Sequence, residues 1–278
     1  MVNTGHAWLP RASCNVSCVD VRDVAGWRRC LWYLRVARRA VAALLLLPGL
    51  PLLAAPLPGR TRVQRAYCRL VLRCFGVRIT VSGNPIRNLS GVLVVSGHIS
   101  WLDGFAIGAV LPGSFVARAD MFTGPATGVV ARVLKIIPIE RASLRRLPGV
   151  VDAVARRLRA GQTVVVFPEG TTWCGLASGN FYPAMFQAAI DTGRPVQPLR
   201  LTYHHVDGTV STVPAYVGDD SLLRSVGRLL SAGRTVAQVR VESLQLPGSD
   251  RRELARRCQS AVQLGISRQS GHEHALVA

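Results

Sequence analysis

Two short stretches of this sequence bring together residue types that do proton and anion chemistry. In the first, Gly97-His98-Ile99-Ser100-Trp101-Leu102-Asp103-Gly104, a histidine closes an apolar run and an aspartate follows five positions later. A tight turn between them puts the carboxylate against the imidazole, where it fixes the tautomer and stabilises the imidazolium formed when the ring takes a proton. Asp103 also stands where a helix N-cap is expected, an equally good use for it. In the second stretch, Val166-Phe167-Pro168-Glu169-Gly170-Thr171-Thr172, an apolar run ends in a glycine turn with two hydroxyls and backbone amides that can hold a phosphate. Alone, it reads first as a plain strand-to-loop turn capped by threonine.

Both stretches need a scaffold that delivers them to one place. Each follows a continuous apolar run, residues 92–96 and 163–167, of the kind that forms strands covered on both faces. Further strands are predicted at 77–82, 114–117, 136–139, 195–203, 210–216 and 236–241. Helical stretches at 102–110, 124–134, 147–159, 183–189 and 222–230 alternate with them. The alternation predicts a single α/β domain with a mixed, mostly buried sheet flanked by helices. Residues 251–264 read as a basic helix, and the tail 271–278 is expected to be disordered.

The chain has 278 residues, of which 49% are hydrophobic, and a formal net charge of +19 from 34 Lys+Arg against 15 Asp+Glu. So apolar a composition excludes a mostly unfolded basic chain. The charge calls for an anionic partner: nucleic acid, a membrane surface or a phosphorylated substrate. No nucleic-acid motif is present, and the arginines are spread through apolar helices instead of forming a stripe, so nucleic acid is not expected. A basic membrane-binding protein without catalysis remains the rival of another class. The seven cysteines are scattered, none in a C-x-x-C, and Cys14 and Cys18 lack a second ligand pair at zinc-finger spacing. They read as reduced thiols of a cytosolic compartment, and no metal site is expected. His204 and His205 read as a strand end.

Before the α/β body lies an uncharged run, residues 40–57, AVAALLLLPGLPLLAAPL. It begins too far from Met1, behind too many charges, for a secretory signal peptide. Its 18 residues are long enough to span a bilayer, but Pro48, Gly49, Pro51 and Pro56 interrupt it. The flanks are both basic: seven arginines against two aspartates over 1–39, and six arginines with no acid over 59–78. Positive charge on both sides fits a kinked helical hairpin, or a pair of short helices lying in the interface, with both ends cytoplasmic. Residues 63–75 pattern as an amphipathic basic helix, which either meets anionic head groups or is an ordinary surface helix of the domain.

Taken together, about 70 residues apart, the two chemical stretches resemble the glycerolipid acyltransferase family, best known from lysophosphatidate acyltransferase. That family carries a His-x4-Asp block and a Phe-Pro-Glu-Gly-Thr block in this order. Between them Lys135-Ile136-Ile137-Pro138-Ile139-Glu140-Arg141 matches a block that ends in arginine, with Glu140 where aspartate is common. Arg194-Pro195-Val196-Gln197-Pro198-Leu199 matches a fourth, Val-Pro-rich block, so the resemblance covers residues 77–203. One departure bears on substrate: the family's third block often continues Gly-Thr-Arg, whereas this chain has Gly170-Thr171-Thr172. That arginine is credited with holding the acceptor's phosphate, and lyso-ornithine lipid acyltransferase-like members carry threonine there. Arg141 or Arg118 is an alternative phosphate ligand.

The resemblance implies direct acyl transfer from acyl-CoA or acyl carrier protein, a co-substrate and not a resident cofactor, to the hydroxyl of a lysolipid. The leading acceptor is 1-acylglycerol-3-phosphate, and lyso-ornithine lipid is the alternative. His98 is the implied general base and Asp103 its orienting partner; Arg141, Glu169, Gly170, Thr171, Thr172 and Pro198 are the implied substrate-binding residues. No serine or cysteine nucleophile is required, and Cys174 has no second His–carboxylate pair to activate it. The resulting organisation is a basic segment over 1–39, membrane-associated helices over 40–76, the acyltransferase domain over 77–245, and a basic helix with its tail over 246–278. Such an enzyme is expected at the cytoplasmic side of the cell membrane.

Overall fold

The computed structural model describes residues 9–20, 29–53, 59–83, 90–122, 124, 128–129, 131–132, 134–140 and 143–273. Seven strands form one sheet: β1 (Val77–Ser82), β2 (Leu93–Ser96), β3 (Ser114–Arg118), β4 (Ile137–Ile139), β5 (Val164–Val166), β6 (Val196–His205) and β7 (Thr235–Val241). Their order is β1-β7-β6-β2-β5-β3-β4. All neighbours run parallel except β6 and β7, so the sheet is mixed, as the alternation predicts. The expected strand at 210–216 does not form. Pro214 has no N–H to give a ladder, and the carbonyls of Val213 and Ala215 accept from the Arg228 guanidinium instead, so this stretch is a buried loop.

The apolar strands are covered on both faces, and their two-residue period sorts the core. Val94 and Val165, with Leu199, Leu201 and Tyr203, face one layer: α2 (Arg60–Cys74), α3 (Asp103–Gly108) and α6 (Leu222–Ser231). Leu93, Val95, Val164 and Val166 face the other: α4 (Leu147–Arg159), α5 (Phe186–Thr192) and α7 (Arg251–Glu273). Helix α7 runs three residues into the stretch expected to be disordered; the rest of that tail lies outside the described residues.

The uncharged run divides. Helix α1 (Arg29–Leu46) ends where Pro48, Gly49 and Pro51 stop an α-helical ladder, and a 3-10 segment, Leu47–Leu53, follows. Residues 54–57 lie outside the described residues. Among the described residues no helix is long and apolar enough to cross a membrane. One side chain ties α1 to the body: buried Arg39 donates to the carbonyls of Leu229 (3.1 Å), Leu230 (3.0 Å) and Ala232 (2.7 Å), the open C-terminal end of α6. A cation is favoured there by both the orphan carbonyls and the helix dipole. Gly76 makes the room, since a Cβ on it would stand 1.9 Å from the Arg39 guanidinium.

Candidate active site

Strands β2 and β5 are parallel neighbours with Val95 opposite Val166, so their C-terminal ends leave the sheet side by side. The two stretches singled out by residue type therefore meet. Open α/β sheets build their sites at this carboxyl edge.

His98 and Asp103 are paired, with Nδ1 2.8 Å from Oδ2. Asp103 is the first residue of α3, and its Oδ2 also accepts the N–H groups of Ile99 (2.6 Å) and Ser100 (2.9 Å). The carboxylate thus closes the turn before the helix and holds the imidazole; it does not cap the helix, whose N-cap is Leu102 with no side-chain cap bond. Its other oxygen, Oδ1, accepts the hydroxyl of Tyr203 at 2.8 Å. Burial and the Asp103 charge push the Tyr203 phenol well above its ordinary range, which keeps it a donor. The His98 ring stacks on Phe167, with centroids 4.0 Å apart and planes 12° from parallel. With Nδ1 donating to the carboxylate and the ring clamped from one side, Nε2 is left as the basic nitrogen.

The loop after β5 is tied to this pair from below. Glu169 is 3% exposed, and its carboxylate accepts the backbone N–H of His98 (2.8 Å) and of Gly179 (3.0 Å). Burial raises its pKa to about 7, against the opposing effect of those two donors. The backbone N–H of Trp173 donates to the His98 carbonyl at 2.7 Å, and Thr172 Oγ1 donates to the Tyr216 carbonyl. Gly170 turns the chain at φ +69, and a Cβ there would lie 2.6 Å from the ring of Pro10. Its own N–H is used within the turn, on the Phe167 carbonyl.

These groups border a cavity of about 1010 Å³. His98, Gly170, Thr171 and Thr172 line it, together with Trp101, Phe105, Phe115, Ile139, Leu147 and Met185. The wall is mostly apolar, with Arg11, Arg118, Glu140, Asp219 and Arg251 also on it, so the cavity suits a long apolar substrate that carries a polar head. Residues 10–12 and Cys14, from the N-terminal segment, form part of the wall.

Not every implied site residue sits here. Pro198 is buried in β6 opposite Val95 and is not among the cavity-lining residues. The Glu169 carboxylate faces the loop backbone and not the cavity, so it positions His98. Arg141 lies outside the described residues. Arg118 lines the cavity with its guanidinium paired to Asp120. Of the aromatic residues near the motifs, Trp101 and Phe105 line the cavity, whereas Phe181 and Phe186 fill the core on the opposite face of the sheet. His204 is satisfied by Gly208 and Thr202. Tyr203 was not legible as a site residue, although a tyrosine in the buried Leu199–Leu201–Tyr203 alternation needs a partner for its hydroxyl.

A family model described as Acyltransferase matches residues 78–202. Lyso-ornithine lipid O-acyltransferase of Pseudomonas aeruginosa is 32% identical over 211 residues, 75% of this chain and 80% of that protein. A 1-acyl-sn-glycerol-3-phosphate acyltransferase of Neisseria meningitidis is 34% identical over 181 residues, 65% of this chain and 71% of that protein. The crystal structure of the 1-acyl-sn-glycerophosphate acyltransferase PlsC of Thermotoga maritima superposes with a TM-score of 0.59 at 19% identity, covering 87% of this chain and 98% of that one, and so shares the fold. With the fold, the His98–Asp103 pair and these matches in agreement, the chain belongs to the glycerolipid acyltransferase family that its motifs resemble.

Proposed function

We propose that this enzyme transfers a fatty acyl group from the thioester of acyl-CoA or acyl carrier protein to the hydroxyl of a lysolipid, with 1-acylglycerol-3-phosphate as the leading acceptor and phosphatidate as product. The observation that carries this reading is the His98–Asp103 pair opening onto a mostly apolar cavity. His98 Nε2 takes the proton of the acceptor hydroxyl while Asp103 holds the ring. The oxygen attacks the thioester carbonyl, the C–S bond breaks, and the departing thiolate takes the proton back from the imidazolium. In the turn after Gly170, the amides of Thr171 and Thr172 are the donors available to the developing oxyanion or to a phosphate.

A specific observation favours a second acceptor. Thr172 stands where many family members have a phosphate-binding arginine, and its hydroxyl is engaged by the Tyr216 carbonyl. A lyso-ornithine lipid, which has no phosphate, fits that position better. Purified enzyme given both acceptors with one acyl-CoA, and the products read by mass spectrometry, separates the two. Acylation of lyso-ornithine lipid alone overturns the leading assignment. A folded His98→Ala variant that still consumes thioester at the wild-type rate overturns the catalytic reading altogether.

Attachment to the cytoplasmic membrane surface belongs to the same proposal. Helix α1 leaves Leu31, Leu34, Val41, Leu44 and Leu45 exposed, from 55 to 74%, beside Arg35 and Arg38. Apolar area and basic charge together supply the two signals that stable attachment to an anionic bilayer takes. Cosedimentation with anionic vesicles, abolished by Leu34→Asp with Leu45→Asp, is the expected result.

A further inference from the structure

Three cysteines from two distant parts of the sequence meet beside the active site. The sulfurs of Cys14, Cys18 and Cys174 all lie within 4.8 Å of one another, and among the described residues they form the one group with the spacing of a metal site. Cys14 and Cys174 are buried and Cys18 is half-buried. From the geometry we infer that these three residues bind a thiophilic divalent cation, zinc foremost, which fastens the N-terminal segment to the catalytic loop.

A short turn gathers two of the three sulfurs. Cys14 lies just before a 3-10 turn, Val16–Cys18, that Cys18 ends and Asn15 caps, its Oδ1 accepting from Ser17 N–H at 3.0 Å. The turn brings two sulfurs round to one side. Zinc–sulfur bonds of about 2.3 Å at tetrahedral angles put ligand sulfurs ~3.8 Å apart, so closure needs only a small contraction of the cluster. On binding, the three thiols release their protons to solvent, and a fourth ligand closes the tetrahedron. Three sulfurs and soft ligand chemistry favour zinc over a hard cation.

The position gives the ion a task. Cys174 stands four residues after Gly170, and Cys14 lines the cavity together with Pro10, which packs on Gly170. Apart from the cluster, residues 9–20 hold the body through contacts such as Asp20 N–H to Thr212 Oγ1 at 2.8 Å. A cross-link at Cys14, Cys18 and Cys174 would make this segment a permanent part of the cavity wall.

The full chain, purified without chelator and dialysed under reducing conditions, is expected to carry about one zinc per chain by elemental analysis. Cys14→Ser and Cys174→Ser should each lower zinc retention at least about tenfold, and Cys30→Ser should leave it unchanged. X-ray absorption at the zinc edge of the wild-type protein, which needs no variant to fold, should show three sulfur ligands at about 2.3 Å. In addition, stripping the zinc should speed tryptic cleavage after Arg11. Wild-type protein that takes up no zinc when reconstituted overturns the inference. So does a zinc shell without sulfur, or a Cys14–Cys174 disulfide as the native state.

Discussion

Tyr203→Phe removes one hydroxyl and nothing else from the site, so its effect can be worked out from the structure. The bond lost, 2.8 Å from Asp103 Oδ1, is the one bond holding that oxygen, while Oδ2 keeps its three donors from His98, Ile99 and Ser100. Both partners are buried, Tyr203 at 1% and Asp103 at 0% exposure, so no solvent replaces the donor. A hydrogen bond to a charged group contributes about 1.5–3 kcal/mol net, which for a chain of this size is a fall in Tm of about 3–10 °C. The carboxylate also becomes free to turn about its own axis, and a misplaced imidazole should cost kcat roughly tenfold. Calorimetry and thioester consumption measure the two effects, and a cycle with Asp103→Ala tests their common cause. Once the carboxylate is gone, Tyr203→Phe should cost nothing further, giving a coupling of about 1.5–3 kcal/mol. Additive stability losses in the cycle, or a fully active Tyr203→Phe enzyme, would refute the argument that Tyr203 acts through Asp103.

Glu169 makes stability depend on pH in an unusual direction for a carboxyl group. Its folded pKa of about 7 lies above the ordinary 4.5, so the folded state holds the proton more tightly and stability falls as pH rises between those values, by about 3 kcal/mol at most. Glu169→Gln should remove that slope from a series of melting curves at about pH 4.5 to 8, while adding a penalty of about 1–3 kcal/mol from an amide that cannot accept both N–H groups; equal slopes in the two proteins would count against the buried, proton-holding carboxyl. Gly170→Ala meets both a left-handed φ of +69 and the Pro10 ring, so it should lose more than about 1 kcal/mol on chemical denaturation and raise KM by opening the wall. Unchanged values would show that Pro10 does not pack there in solution. Thr172→Arg should shift the ratio of kcat/KM toward 1-acylglycerol-3-phosphate over lyso-ornithine lipid by about tenfold, the effect of one charged hydrogen bond. No shift would mean that position 172 does not face the acceptor's head group.

The parts of the molecule that follow from local pattern were legible in the sequence. Continuous apolar runs such as Leu93–Ser96 and Val164–Val166 became strands buried on both faces, and the helix expected over 147–159 formed with those bounds. The His98–Asp103 pairing was legible because five residues suffice to close one turn. What the sequence hid was set by tertiary partners. Residues 210–216 alternate like a strand, yet Arg228 from α6 takes their carbonyls. Glu169 read as a substrate ligand because residue type cannot say that its carboxylate turns back to the His98 amide. Cys14 and Cys18 read as a pair without a second pair, since the sulfur that joins them belongs to Cys174 on another loop.

The Arg39 clamp on the end of α6 has a mechanical consequence. Because the guanidinium grips four carbonyls of the body, those of Leu229, Leu230, Ala232 and Gly233, α1 is a rigid outrigger and not an anchor on a slack tether. Any surface that takes up the exposed leucines of α1 therefore sets the tilt and height of the whole sheet, and with them the angle at which the cavity mouth meets that surface. A lipid partly drawn from a bilayer would then arrive in a single approach geometry, with no orientational search by the protein before each turnover.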